Sequence, residues 1–391
     1  MTVPDPTTCP ACQSTDATPL PVPHATRAMI SDGQIVGKSL SKMSCEVCGH
    51  GFHQMPLTKD ALRGFYDDDY SLGQNDQRAE EQRAAAYGAV LAGLLDQTGI
   101  PAPTRFLEFG CGMGSLLAWL KRRWGSDAAF GIEPSAQLAS FAAKIVPDGV
   151  SVEQGFAEDI VATHLGAYDL CLSVNVVEHT LSPEAFLDTC AKVIRPEGAV
   201  IVICPDGETP SSELLFFDHV SSFTQSSLSA FANRARLHCV TRQALTGPLQ
   251  GFQMMLLKPG ADPSLAPKGT PGLSARRAAF LDVWRGAEDA IKSRLNGQPY
   301  AIFGVGEYAD LLAAYAPGLV EDAVCFVVDT PQMQTHKGKT VLTTDAFLRT
   351  TPTAILAAVH ERSWPAVEAR FRGTCPDVLH PAYLTSNEAA Q

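Results

Sequence analysis

From Arg105 onward the chain alternates short apolar runs with helical stretches, and this alternation is what most restricts its fold. RFLEF is followed by a helix ending at Trp124, AAFGIEP by a helix ending at Ile145, and VSVEQG and YDLCLSVNVV by a helix starting at Pro183. AVIVICPD closes the series. A parallel strand can rejoin its sheet only through a crossover, and helices of this length cover both sheet faces, so the pattern predicts a doubly wound α/β core. Its first crossover is marked. In LEFGCGMGSLLAWL a strand carrying Glu108 ends, glycines stand at 110, 112 and 114, and a helix opens at once. Glycine lets the backbone turn sharply and lets a ligand approach it, and a helix N-terminus offers unpaired amides, so this turn is the expected ligand site. The next strand ends in Glu133, where a carboxylate can accept the two hydroxyls of a ribose.

Two further features flank this core. TCPACQ and SCEVCGHGFH place Cys9, Cys12, Cys45 and Cys48 in two C-x-x-C pairs, a donor set suited to one tetrahedral structural zinc with no open position for chemistry. Residues 13–44 separate the pairs, more than the roughly 15 to 20 residues of a common zinc ribbon, and a hairpin insertion around His24 to Gly37 absorbs the excess. His50 and His53 stand nearby as substitutes, although four thiolates already fill such a site. Beyond a Pro/Gly-rich stretch at 259–275, PYAIFGVGEYADLLAAYAP and DAVCFVVDTP supply strand, glycine turn, helix and strand again. The expected organisation is a zinc module over 1–70, the α/β core over 71–258, the linker over 259–275 and a smaller Rossmann-like unit over 276–391.

Composition narrows the partners. Of 391 residues, 45% are hydrophobic and 18% charged, as in a folded globular protein. Thirty basic against 42 acidic residues give a net charge of −12, which argues against a nucleic-acid backbone or an anionic membrane as partner and for a small molecule. The opening MTVPDPTTCPACQ lacks the basic and apolar regions of a signal peptide, and no apolar run of about 18 residues is present, so the expected location is the cytoplasm. In a reducing compartment the remaining seven of the 11 cysteines are expected as small buried hydrophobes rather than disulfides. The oligomeric state is left open.

With G-x-G-x-G in place of the dinucleotide pattern G-x-G-x-x-G, the core resembles the class I S-adenosylmethionine-dependent methyltransferases. The resemblance rests on Glu108, Gly110, Gly112, Gly114 and Glu133, and on Arg195, Pro196, Glu197 and Gly198 leading into the fifth strand. It implies that these glycines with Cys111, Glu133 and Pro134 hold S-adenosylmethionine, that Glu158 or Asp159 of GFAEDI lies near adenine, and that Asn175 to His179 end the fourth strand at the site. Zinc pairs, methyltransferase core and a small Rossmann-like unit in this order are similar to the sugar C-methyltransferases of deoxysugar pathways. That likeness implies methylation at carbon of a nucleotide-linked keto sugar. In LLFFDHVSSFT it places Phe216 where the family has a tyrosine, Asp218 where it has a glutamate and His219 at its proposed base, and it matches Tyr70 to the aromatic residue before the core.

A carbon acceptor must lose a proton as it attacks, and an imidazole with an ordinary pKa near 6.5 is suited to take it at neutral pH. His219 is the expected base, Asp218 its orienting or charging partner, and His179 its rival. Two alternatives stay open: methylation of oxygen or nitrogen on another small acceptor, and a zinc-bearing binding protein without turnover.

Overall fold

The computed structural model describes residues 7–55, 58–64, 77–160, 162–350 and 353–381. The chain divides into two compact units. The first takes the N-terminal segment to Thr18, Met43–Glu213 and Asp218–Ser274; the second takes Pro19–Lys42, Leu214–Phe217 and Ala275 onward. The boundary expected at residue 70 is therefore not where the chain divides. Both C-x-x-C pairs belong with the α/β core, whereas the insertion between them belongs with the C-terminal segment. The reason is local packing. The insertion forms a hairpin, Ala28–Met29 against Ile35–Val36, and the Met29 amide donates to the Tyr315 hydroxyl at 3.2 Å while its carbonyl accepts from Phe217 at 2.7 Å.

In the first unit, short strands β1 (Ala17–Pro19), β2 (Lys42–Cys45) and β3 (Gly51–His53) precede helix α1 (Gln77–Thr98). The core then runs β4 (Arg105–Phe109), α2 (Ser115–Trp124), β5 (Ala128–Glu133), α3 (Ala136–Ile145), β6 (Val150–Gln154), β7 (Tyr168–Val174), α4 (Pro183–Val193) and β8 (Ile194–Pro205). Strand β9 (Ser221–Ser222), helix α5 (Gln225–Arg234), β10 (Leu237–Ala244) and β11 (Phe252–Pro259) complete it.

The seven-stranded sheet has the order β10-β11-β8-β7-β4-β5-β6. Strands β4 to β8 are parallel, and β11 pairs antiparallel with both β8 and β10. The expected Rossmann-like α/β class is thus found. Alternate residues of the central strands feed two cores: Leu107, Phe109, Cys171, Val200 and Val202 enter one, while Phe106, Leu170, Leu172, Ile201 and Ile203 enter the other. Burial on both faces is why these strands read as continuous apolar runs. Helices start where the sequence offers caps: Ser135 accepts from Leu138 N, Ser182 precedes Pro183 and accepts from Ala185 N, and Thr224 with Ser227 forms a capping box. The chain order reverses between β4 and β7, and the carboxyl ends of the strands at such a switch point form a crevice suited to ligands.

The second unit carries a long helix, Leu273–Leu295, and a parallel sheet of Lys339–Thr343, Phe326–Val328, Tyr300–Phe303, Ala354–Ala357 and Val378–Leu379 in that order. Residues 260–272, expected as a linker, are tied down within the first unit: Gly269 N–H donates to Val47 O at 2.7 Å and Lys268 N–H to Ser226 Oγ at 2.6 Å. Among the described residues no helix is long and apolar enough to cross a membrane.

Candidate active site and metal centre

The turn after β4 is built by three left-handed residues, Gly110 at φ 69°, Gly112 at 54° and Gly114 at 75°. Gly110 is required twice over. Its φ is unfavourable for any residue bearing a Cβ, and an added Cβ would lie 2.3 Å from Cγ2 of Val176. Its amide bonds Ile132 O at 2.7 Å, which draws the turn onto the end of β5. There Glu133 receives the Gly112 amide on Oε2 at 2.8 Å and the Ser135 amide on Oε1 at 2.9 Å. Each carboxylate oxygen keeps a second acceptor site beside this backbone role. Burial raises the Glu133 pKa, with the two amides working against it.

Glu108 lies beneath, fully enclosed, and burial together with the Glu133 charge pushes its pKa up to about 8. Its Oε2 and the Oδ1 of Asn175 are buried without a hydrogen-bond partner among the described residues. Asn175 itself is left-handed at φ 54° and donates from Nδ2 to the hydroxyl of Tyr87 on α1 at 2.9 Å. Buried acceptors left open around a glycine turn fit a polar, cationic ligand such as the aminoacyl sulfonium of S-adenosylmethionine. Cys111 is buried beside the turn, and Pro134 continues from Glu133 into α3. Glu158 and Asp159 are exposed after β6, where Asp159 pairs with Arg63 at 2.6 Å.

At the end of β7 the chain brings His179 beside His219, their rings 4.6 Å apart and nearly perpendicular. The carboxylates are distributed differently from the sequence expectation. Asp218, expected to serve His219, faces His179, with Nδ1 to Oδ2 at 3.3 Å and Nδ1 to its own carbonyl at 3.2 Å. Opposite His219 Nδ1 stands Glu213, at 3.7 Å. The backbone explains this: Asp218 and His219 are consecutive, so their side chains diverge, and a carboxylate from farther back in the segment fills the place.

These surroundings push the two imidazoles apart. Burial works against charge at His179, yet the Asp218 carboxylate outweighs it and raises the pKa. At His219 burial lowers the pKa, which Glu213 only partly offsets and His179 reinforces. Two titratable neighbours displaced in opposite directions are the pattern from which acid and base roles are drawn. Glu178 is buried alongside, its pKa raised by burial to about 7. Glu178, His179 and His219 also offer ligand atoms within 4.8 Å of one another, a set with the composition of a divalent-cation site. Glu213 and Tyr87 escaped the sequence reading, since neither sits in a motif. Tyr70 lies outside the described residues.

The four expected cysteines converge. Cys9 Sγ lies 3.6 Å from Cys48 Sγ, and Cys12 Sγ 3.5 Å from Cys45 Sγ. Tetrahedral zinc with Zn–S near 2.3 Å would set sulfurs about 3.8 Å apart, so the four thiols fit the ion. Both knuckles close alike: the Gln13 amide bonds Cys9 O and the Gly49 amide bonds Cys45 O, each at 2.9 Å, with Gln13 and Gly49 left-handed. His50 is no part of the set. It is stacked among Phe52, Phe223 and Phe231 at 5.2 to 6.0 Å.

In the second unit the turn Gly304 to Gly306 has a packing reason, since a Cβ at Gly304 would stand 2.5 Å from Ala358 O. Asp329, at the end of the following strand, is bonded to Thr344 Oγ1 and Arg370.

Residues 79–253 match the family described as "Methyltransferase domain". Curated relatives include ubiquinone biosynthesis O-methyltransferases of Rhizobium etli, 34% identical over 117 residues, and of Caulobacter sp. strain K31, 33% identical over 100 residues. These alignments cover 29% and 25% of this chain and 46% and 39% of the relatives, so the chain spans about half their length or less. Among solved structures, a methyltransferase of Haloferax volcanii in complex with its Trm112 activator aligns over 52% of this chain and all of its own, with a TM-score of 0.41 and 13% identity. The mitomycin 7-O-methyltransferase aligns over 48% of this chain and 59% of its own, at 0.36 and 16%. The central part of this chain has the Rossmann-like fold of the class I methyltransferases, and residues 79–253 match a methyltransferase domain.

Proposed function

We propose that this protein transfers the methyl group of S-adenosylmethionine to a small acceptor that must lose a proton, with His219 taking that proton. The observation that carries the reading is the paired histidine site, where Glu213 and Asp218 each back one imidazole and the two pKa values move in opposite directions. The cofactor supplies an electrophilic methyl on a sulfonium; Glu108 and Glu133, beside a glycine turn that lets a ligand approach the backbone, are the residues suited to hold it. The rest of the chemistry falls to the chain. His219 presents Nε2, since Nδ1 faces Glu213, and accepts the acceptor's proton. The electron pair left on the acceptor would then take the methyl carbon, whose bond to the sulfonium sulfur breaks with its electrons left on sulfur as a neutral thioether. His179, whose protonated form Asp218 favours, can donate to the oxygen on which negative charge develops. Holding the acceptor in line is worth more than either proton step.

The favoured acceptor is a carbon next to a carbonyl, as in a nucleotide-linked keto sugar, because such a proton leaves only with a base at hand. The four cysteines are assigned a structural zinc, and the cytoplasm is the assigned location. A second reading, methylation of a hydroxyl oxygen, is favoured by the O-methyltransferase relatives. One experiment serves both: incubate the enzyme with carbon-13 methyl-labelled S-adenosylmethionine and a pooled nucleotide-sugar and metabolite extract. Mass gain identifies the acceptor, and the methyl chemical shift separates carbon from oxygen. His219→Ala is expected to lose roughly 100-fold or more in rate for a carbon acceptor. Absence of cofactor binding by calorimetry ends both readings.

A further inference from the structure

We infer that the four-cysteine knuckle positions His219, through Thr224 and Arg234 at the two ends of helix α5. The inference rests on the base role assigned to His219 above. The segment bearing that histidine has little regular structure of its own: after Asp218 and His219 come the two residues of β9 and then α5. Its order is supplied by the knuckle. Strand β9 pairs antiparallel with β3, Ser221 opposite Phe52 and Ser222 opposite Gly51, and the His53 amide donates to Val220 O at 2.9 Å. That last bond fixes the peptide after Val220, one residue beyond His219.

Two side chains carry the connection to the cysteines themselves. Thr224, fully buried, donates from Oγ1 to Cys48 O at 2.8 Å while accepting the Ser227 amide as the helix cap. At the other end of α5, Arg234 donates to Pro10 O at 2.8 Å and to Ala11 O, both within the first C-x-x-C turn. One helix thus holds a carbonyl of each knuckle, and the knuckles are held to one another through their thiols, through whatever ion those thiols bind, and through the pairing of β1 with β2 and the Glu46 amide on Asp16 O at 3.0 Å. Cys9, Cys45 and Cys48 also belong to the same buried cluster as Phe223, Leu228 and Phe231. Emptying the metal site leaves four thiols that no longer attract one another, and the carbonyls that anchor α5 and β9 separate with them. The glycine turn is built on β4 and β5, away from these contacts, so cofactor binding is spared while the base is displaced.

The test compares protein carrying one equivalent of zinc with protein stripped by chelator, and adds Thr224→Val, Thr224→Ser and Arg234→Gln. Hydrogen exchange over residues 213–224 needs no turnover and is the primary readout. Stripping and Thr224→Val are each expected to speed exchange in that segment at least tenfold, and to lower kcat by a similar factor. Affinity for S-adenosylmethionine should change less than twofold, and Thr224→Ser, which keeps the hydroxyl, should restore both readouts. Arg234→Gln should act in the same direction more weakly and serves if Thr224→Val fails to fold. Unchanged exchange over 213–224 on stripping, in protein that still binds the cofactor, overturns the inference and leaves the methyltransferase reading standing. Loss of cofactor binding in the zinc-loaded protein would instead strike that reading.

Discussion

Replacing Gly110 by alanine tests the turn at its most constrained point. Its φ of 69° puts a Cβ-bearing residue in the left-handed region, which costs about 1–2 kcal/mol. The new methyl would begin 2.3 Å from Val176 Cγ2, and relieving such an overlap in a packed site costs about 1–3 kcal/mol more. The sum, about 2–5 kcal/mol, is a large part of the 5–15 kcal/mol that holds a typical domain. Denaturation in urea, followed by hydrogen exchange of peptides spanning 105–133, reads the loss in this unit alone. Calorimetric titration with S-adenosylmethionine reads the site. Val176→Ala in the same chain removes the collision and leaves the backbone strain, so the double mutant is expected to recover about 1–3 kcal/mol relative to additivity. A Gly110→Ala protein that loses less than about 0.5 kcal/mol and couples to Val176→Ala by nothing would refute the reasoning.

Other expectations follow from neighbouring contacts. In Glu213→Gln the charge that partly offsets burial at His219 is gone, so its pKa falls further; the base form then persists to lower pH, and the acid limb of kcat should move down from its wild-type position below 6.5. The same depressed pKa gives stability present above pH 6.5 and lost as pH falls, which urea midpoints taken on either side of that value would reveal. Asp218→Asn acts oppositely: the support that keeps His179 charged disappears, and the stability it lends below pH 6.5 should vanish with it. Gly88→Ala places a Cβ 2.2 Å from the Trp119 ring, and the contact between α1 and α2 should lose about 1–3 kcal/mol in the same unfolding assay.

Much of this was readable in one dimension. Strand and helix alternation, the glycine turn with Glu108 and Glu133, and the two C-x-x-C pairs are local patterns, and each is set by what a few adjacent residues can do: turn, cap, or bring two thiols to one side. The class of fold therefore came from sequence. The partners of the histidines did not. Glu213 meets His219 and Asp218 meets His179 because the chain folds back between residues 179 and 213, and no spacing rule records which of two carboxylates a ring will face. Tyr87 behind Asn175, the hairpin around Met29 that joins the C-terminal unit, and Arg234 reaching Ala11 are of the same kind. Such contacts join positions far apart in the chain, their geometry decided by the packing of whole elements, and packing is where tertiary structure adds what local preference cannot hold.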